Sequence, residues 1–237
     1  MRLGLLAILI SSNIYATCKE PPVIVAAIDT GFGYNLTRSD PNLCSSGHKD
    51  FSNPELNSRI PYDYHGHGTN IVGTIEHYAN SGHTNFCIVI LKYYSGHGDL
   101  GNLTNTILAF KEATKLGAKY INYSSGGPEP SSMEKEAVEA FLNSGGTLTV
   151  SAGNEGLDLD KNTYYPANYD KRIINVGMLE KNGVQSKISN YGKAVTRWEI
   201  GRDVIAYGIT MSGTSMSAAV AMGKILAQNK NKCDIGR

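Results

Sequence analysis

Five short runs of apolar and β-branched residues punctuate the chain, at 23–28, 85–91, 120–123, 147–150 and 173–176. Runs this short and this continuous belong to strands covered on both faces. Between them lie segments with helical spacing. Residues 103–116 carry Ile107, Leu108, Phe110 and Ala113. Residues 131–143 place Ser132, Glu134 and Glu136 in a first turn, bury Met133, Ala137, Val138, Phe141 and Leu142, and stop at Gly145-Gly146. Strand–helix–strand alternation implies an α/β fold in three layers, a mostly parallel sheet with helices on both faces. At 237 residues, with no linker, repeat or low-complexity stretch, the chain reads as one compact domain.

The first residues stand outside this pattern. Met1-Arg2 is a positive start, residues 3–10 are apolar, and Ala16 is the small residue at which a signal peptidase cuts. The run is too short to span a bilayer. Residues 1–16 are therefore expected to be a cleaved signal peptide, leaving residues 17–237 as the mature domain, secreted or periplasmic. The competing readings are a buried N-terminal strand and a lipid-anchored Cys18, for which the preceding Tyr15-Ala16-Thr17 is a poor context. In an exported chain the four cysteines, Cys18, Cys44, Cys87 and Cys233, imply two disulfides with three possible pairings. A Cys87–Cys233 link would tether the C-terminus, but sequence does not choose among the three.

Charge excludes some partners. Lys+Arg 22 against Asp+Glu 21 leaves a formal charge of +1, so neither a basic field for nucleic acid nor an acidic tail is present.

In a parallel sheet the chemistry gathers at the carboxyl ends of the strands. Asp29 ends the first strand in Ile28-Asp29-Thr30-Gly31; His67 sits in His65-Gly66-His67-Gly68-Thr69, leading into an apolar helix; Ser215 sits in Ser212-Gly213-Thr214-Ser215-Met216, opening a helix of small residues. Singly they read as a turn aspartate, a loop histidine and a helix N-cap serine. In the order Asp, His, Ser, each beside its own glycine, they read as the orienter of a base, the base and the nucleophile it activates.

With these residues the chain resembles the subtilisin-like serine proteases. Asp29-Thr30-Gly31, His67-Gly68-Thr69 and Gly213-Thr214-Ser215-Met216 carry the resemblance, with Asn122-Tyr123-Ser124-Ser125-Gly126-Gly127-Pro128 and Ser151-Ala152-Gly153-Asn154-Glu155-Gly156 in the family's order. It covers about residues 23–228 and implies a subtilisin-like fold and an exported serine endopeptidase. By resemblance Asp29, His67 and Ser215 are catalytic, and Asn154 with the Ser215 backbone N–H holds the oxyanion of a reaction that passes through an acyl-enzyme. The peptide substrate is expected to add as a strand beside Ser124-Ser125-Gly126 and a second segment near Ser95-Gly96-His97-Gly98. Gly126, Gly127, Ala152 and Gly153 are expected to line the main specificity pocket, and Tyr164, just before Tyr165-Pro166, to shorten it.

The departures are also informative. Ala219 stands where the family has a proline, no long propeptide is evident between the signal and the first strand, and the C-terminus is short for the family. The insertion that often binds calcium in the family is short here (79–84), so calcium is not indicated, though left open, and no cofactor is expected. His65 with Asp63, His77 and His83 is the alternative metal reading, and it fits no zinc spacing. An α/β-hydrolase esterase is disfavoured because Gly213-Thr214-Ser215-Met216-Ser217 lacks the closing glycine of a nucleophile elbow. The remaining rival is a catalytically inactive, peptide-binding relative. A monomer acting on proteins is the expected form.

Overall fold

The computed structural model describes residues 17–18, 20–34, 40–53, 60–94 and 101–234. The signal segment 1–16 and the segment Ser95-Gly96-His97-Gly98 lie outside them.

In chain order the elements are β1 (Thr17–Cys18), β2 (Val23–Asp29), β3 (Lys49–Asp50), α1 (His67–Asn80), β4 (Phe86–Lys92), α2 (Asn102–Lys115), β5 (Tyr120–Tyr123), α3 (Ser132–Asn143) and β6 (Thr147–Ser151). There follow β7 (Ile174–Leu179), β8 (Arg197–Ile200), the hairpin β9 (Val204–Ala206) and β10 (Ile209–Met211), α4 (Thr214–Ala227) and β11 (Cys233–Asp234). Seven strands form one parallel sheet in the order β3-β4-β2-β5-β6-β7-β8. The fold is α/β in three layers. The five apolar runs became β2 and β4 to β7, while β3 and β8 flank them at the edges.

Alternation along β2 shows how the layers are bound. Val25 and Ala27 face a core made with Ile71 and Ile75 of α1 and Met216, Ala219 and Met222 of α4. Ala26 and Ile28 face the other core, with Phe110 of α2 and Val138 and Phe141 of α3. Both faces are dry, which is why β2 carries no polar residue before Asp29. Ala219 is fully buried in the first core.

One burial expectation is corrected. Met133 is 59% exposed, and Glu134 beside it turns inward instead, at 5%. The N-cap Ser131 accepts the Glu134 amide at 3.3 Å. The Ser131 amide donates to the Tyr169 hydroxyl, which donates to Glu134 Oε2 at 2.8 Å. The capping box is thus closed through a tyrosine, and that holds the glutamate inside.

Both disulfides exist, as Cys18–Cys233 and Cys44–Cys87, so the Cys87–Cys233 link is not formed. The backbone decides the pairing. Cys18 lies opposite Cys233 in the antiparallel β1–β11 ribbon. The Cys44 amide donates to Ile88, next to Cys87 on β4. The C-terminus is tethered, but to the start of the domain.

Candidate active site

The strand order reverses around β2, flanked by β4 and β5, and a crevice opens beyond strand ends at such a point. Asp29 ends β2 there, 5% exposed, with its Oδ1 accepting the Thr30 amide at 2.8 Å and meeting His67 Nδ1 at 2.7 Å. His67 is the first residue of α1, and Gly66 before it has φ 90. The glycine after it is required by space: a Cβ on Gly68 would lie 2.3 Å from the Gly31 carbonyl oxygen.

The threonines of both motifs converge on Asp63, which is fully buried. Its Oδ1 accepts the Thr30 hydroxyl and the amides of His65 and Gly66; its Oδ2 accepts the Thr69 amide and hydroxyl, the last at 2.6 Å. Burial works to raise the Asp63 pKa, but these donors together bring it below the ordinary 3.8. Sequence offered Asp63 as a metal ligand; here it is the internal anchor that aims the turn carrying His67. Among the described residues, no three His, Cys, Asp or Glu side chains gather as a metal group. For His67, burial pulls the pKa down, yet the Asp29 charge and hydrogen bond, with the Asp63 charge, raise it above 6.5.

Ser215 is the second residue of α4, where backbone amides have no helical acceptor. Its hydroxyl donates to the Ser124 carbonyl at 3.2 Å, and the Ser124 hydroxyl donates to the Ser215 carbonyl at 3.1 Å. Behind them a buried chain runs from Thr149 through the Asn122 amide to Ser124. Those polar side chains inside β5 and β6, for which sequence alone assigned no role of their own, fasten the serine to the sheet. No hydrogen bond joins Ser215 to His67 in this structure; unliganded sites often close that bond only around substrate.

Asn154 follows β6. Its Oδ1 accepts the Thr214 amide at 2.9 Å and the Thr214 hydroxyl at 3.0 Å, so Asn154 caps α4. The Thr214 hydroxyl also receives the Gly153 amide at 3.2 Å. Asn154 is exposed and is tied through its carbonyl to the residue before Ser215.

A cavity of about 440 Å³ lies next to these groups, lined by Gly126, Gly127, Pro128, Glu155, Leu157 and Tyr164 among others. Gly127 and Tyr165 exchange both backbone hydrogen bonds, which joins its two walls. The Tyr164 ring fills the space between them: a Cβ on Gly126 would meet it at 2.5 Å and one on Gly153 at 2.8 Å. Ala152 is fully buried behind that ring. Ser125 faces the other side, into a second cavity. Tyr164 burial and the nearby Glu155 charge push its phenol pKa up, so it stays neutral.

A histidine steered by an aspartate and a serine at a helix N-terminus, on two helices that share one core against a parallel sheet, are the parts of a serine hydrolase. Comparison with known proteins narrows the class. The Subtilase family model matches residues 21–234, and the chain belongs to that family. Subtilisin DY of Bacillus licheniformis is 30% identical over 202 residues, covering 83% of this chain and 68% of its own. The major intracellular serine protease of Bacillus subtilis (strain 168) is 30% identical over 224 residues, covering 87% and 68%. A cold-adapted subtilisin-like serine proteinase of known structure superposes with a TM-score of 0.73 at 27% identity, over 92% of this chain and 80% of that one. A lanthipeptide protease shares the fold, with a TM-score of 0.73 at 20% identity, over 86% and 72%. The activity is that of a serine endopeptidase acting on protein or peptide, and an inactive relative has no support. No helix among the described residues is long and apolar enough to cross a membrane.

Proposed function

We propose that Asp29, His67 and Ser215 work as the catalytic triad and that the reaction passes through an acyl-enzyme. The observation that carries this reading is the 2.7 Å contact of His67 Nδ1 with Asp29. It fixes the ring and leaves Nε2, on its far side, to exchange protons. Ser215 gives its proton to Nε2 as its oxygen adds to the substrate carbonyl, and His67 returns that proton to the leaving amine. Water then repeats the exchange and releases the acyl group. The oxyanion is held by the Asn154 amide and the Ser215 N–H, whose position at a helix N-terminus favours negative charge. The chemical step needs no cofactor.

The substrate pairs as a strand with Ser124-Ser125-Gly126, and the side chain before the cut bond enters the cavity beside Gly126 and Gly127. Tyr164 is its floor, with Ala152 and Gly153 as backing, and favours small side chains. Residues 1–16 are removed on export, and residues 17–237 act as a monomer outside the cytoplasm; two disulfides support that compartment. The test is casein and peptide hydrolysis beside Ser215→Ala, with fluorophosphonate labelling. Activity and label both lost in Ser215→Ala are expected. Hydrolysis that survives the substitution would overturn the triad.

A further inference from the structure

We propose that the cavity on the other side of segment 125–128 selects a cation, taking an arginine or lysine side chain of the substrate upstream of the bond cut. This rests on the reading that the substrate pairs with the segment beginning at Ser124. The two cavities, of about 440 and 450 Å³, share Gly126, Gly127 and Pro128, so they flank one short stretch of backbone. An added strand sends successive side chains to opposite sides. The segment leads away from Ser215, so the second cavity meets a residue further upstream than the first.

The chemistry of its wall is one-sided. Among the described residues, Glu129 and Glu134 are the charged ones on its wall, and Tyr93, Tyr123 and Tyr165 supply aromatic surface. Glu134 is buried and is held by one neutral donor, the Tyr169 hydroxyl at 2.8 Å. No ion pair to either glutamate is found among the described residues. Asn102, also on the wall, has a buried Oδ1 with no donor. A guanidinium or ammonium would supply what these groups lack: charge for the carboxylates, a hydrogen for the amide oxygen and a cation for the rings. An aliphatic side chain would leave the buried acceptors unfilled, and an acidic one would be repelled.

The test uses Ser215→Ala protein, which needs no turnover, and measures binding of fluorescent peptides carrying arginine or its neutral isostere citrulline at each upstream position. At one position arginine is expected to bind about tenfold tighter than citrulline. That ratio should fall toward one in the Glu129→Gln, Glu134→Gln double variant. Glu129→Gln alone, on an exposed residue, should lower it in part, so the test does not hang on a buried substitution. A ratio near one at every position, or a ratio that neither variant moves, overturns the proposal. Hydrolysis by the Ser215 form separates this from the triad. A protein that prefers arginine yet never cleaves sinks the catalytic reading alone, and one that cleaves without charge preference sinks the cation site alone.

Discussion

The side-chain carbonyl of Asn154 accepts both the amide and the hydroxyl of Thr214, the residue before Ser215. These two bonds anchor the start of helix α4 and hold the Asn154 carbonyl, so that in the proposed mechanism its amide nitrogen is the end left for the oxyanion. Asn154→Ala is expected to cut kcat by roughly 10²–10³, about 3–4 kcal/mol, with KM little changed. Thr214→Val removes one of the two anchors and should cost about tenfold in kcat, a hydrogen bond's worth. Steady-state kinetics on one peptide check both; a KM effect without a kcat effect would remove Asn154 from the oxyanion role.

His67 must be neutral to accept a proton. Its pKa in the folded protein is raised above 6.5, so kcat/KM should climb with pH through a midpoint above that value. Asp29→Asn takes away the charge that raises it. The midpoint should then move down and kcat should fall by roughly 10⁴. The matching stability contribution is full below 6.5 and is lost as pH rises through the folded value. A pH–rate profile whose acid limb does not move in Asp29→Asn would detach Asp29 from His67.

The layers were legible in the sequence because both faces of β2, β4, β5, β6 and β7 are covered, and double burial writes itself as unbroken apolar runs. Edge strands escape that rule. In β8, Arg197 and Glu199 pair with each other, and Glu199 also pairs with Lys224, so the segment reads as polar. The proposed triad positions stood out by their local glycine contexts. The positioning roles of Asp63, Thr214, Asn122 and Thr149 did not, although the first three were singled out for other reasons, since each acts through a partner distant in the chain or through a turn that only the folded backbone creates. The cysteine pairing stayed open for the same reason: register between β1 and β11 sets it, and register is not written in spacing.

Asp63→Asn should cost about 3 kcal/mol, because the new amide cannot accept on both sides of five donors. The folded carboxyl lies below 3.8, so its contribution is full above 3.8 and is lost as pH falls through the folded value. Thermal melts at pH 7 and in acid check this. A variant as stable as the parent at pH 7 would contradict the anchor role.

Tyr164 makes a specificity prediction. The parent should cleave after Ala in preference to Phe, and Tyr164→Ala should reverse that order by about tenfold in kcat/KM. A matched pair of peptides suffices, and a parent that prefers Phe would rule out a shortened pocket.

The two disulfides should differ in worth. Cys18–Cys233 spans 215 residues and Cys44–Cys87 spans 43, so chain entropy assigns them about 5 and about 4 kcal/mol. Denaturant midpoints of the two double-serine variants test the order, and an equal loss would show that native contacts outweigh loop length.

The Cys18–Cys233 bridge has a consequence for a protease living among copies of itself. It turns the intervening chain into a covalent ring, and a ring cut once is still one molecule. A single self-inflicted nick in any loop between these residues would leave both fragments joined. Such damage would be silent on a non-reducing gel and would appear as two bands only after reduction.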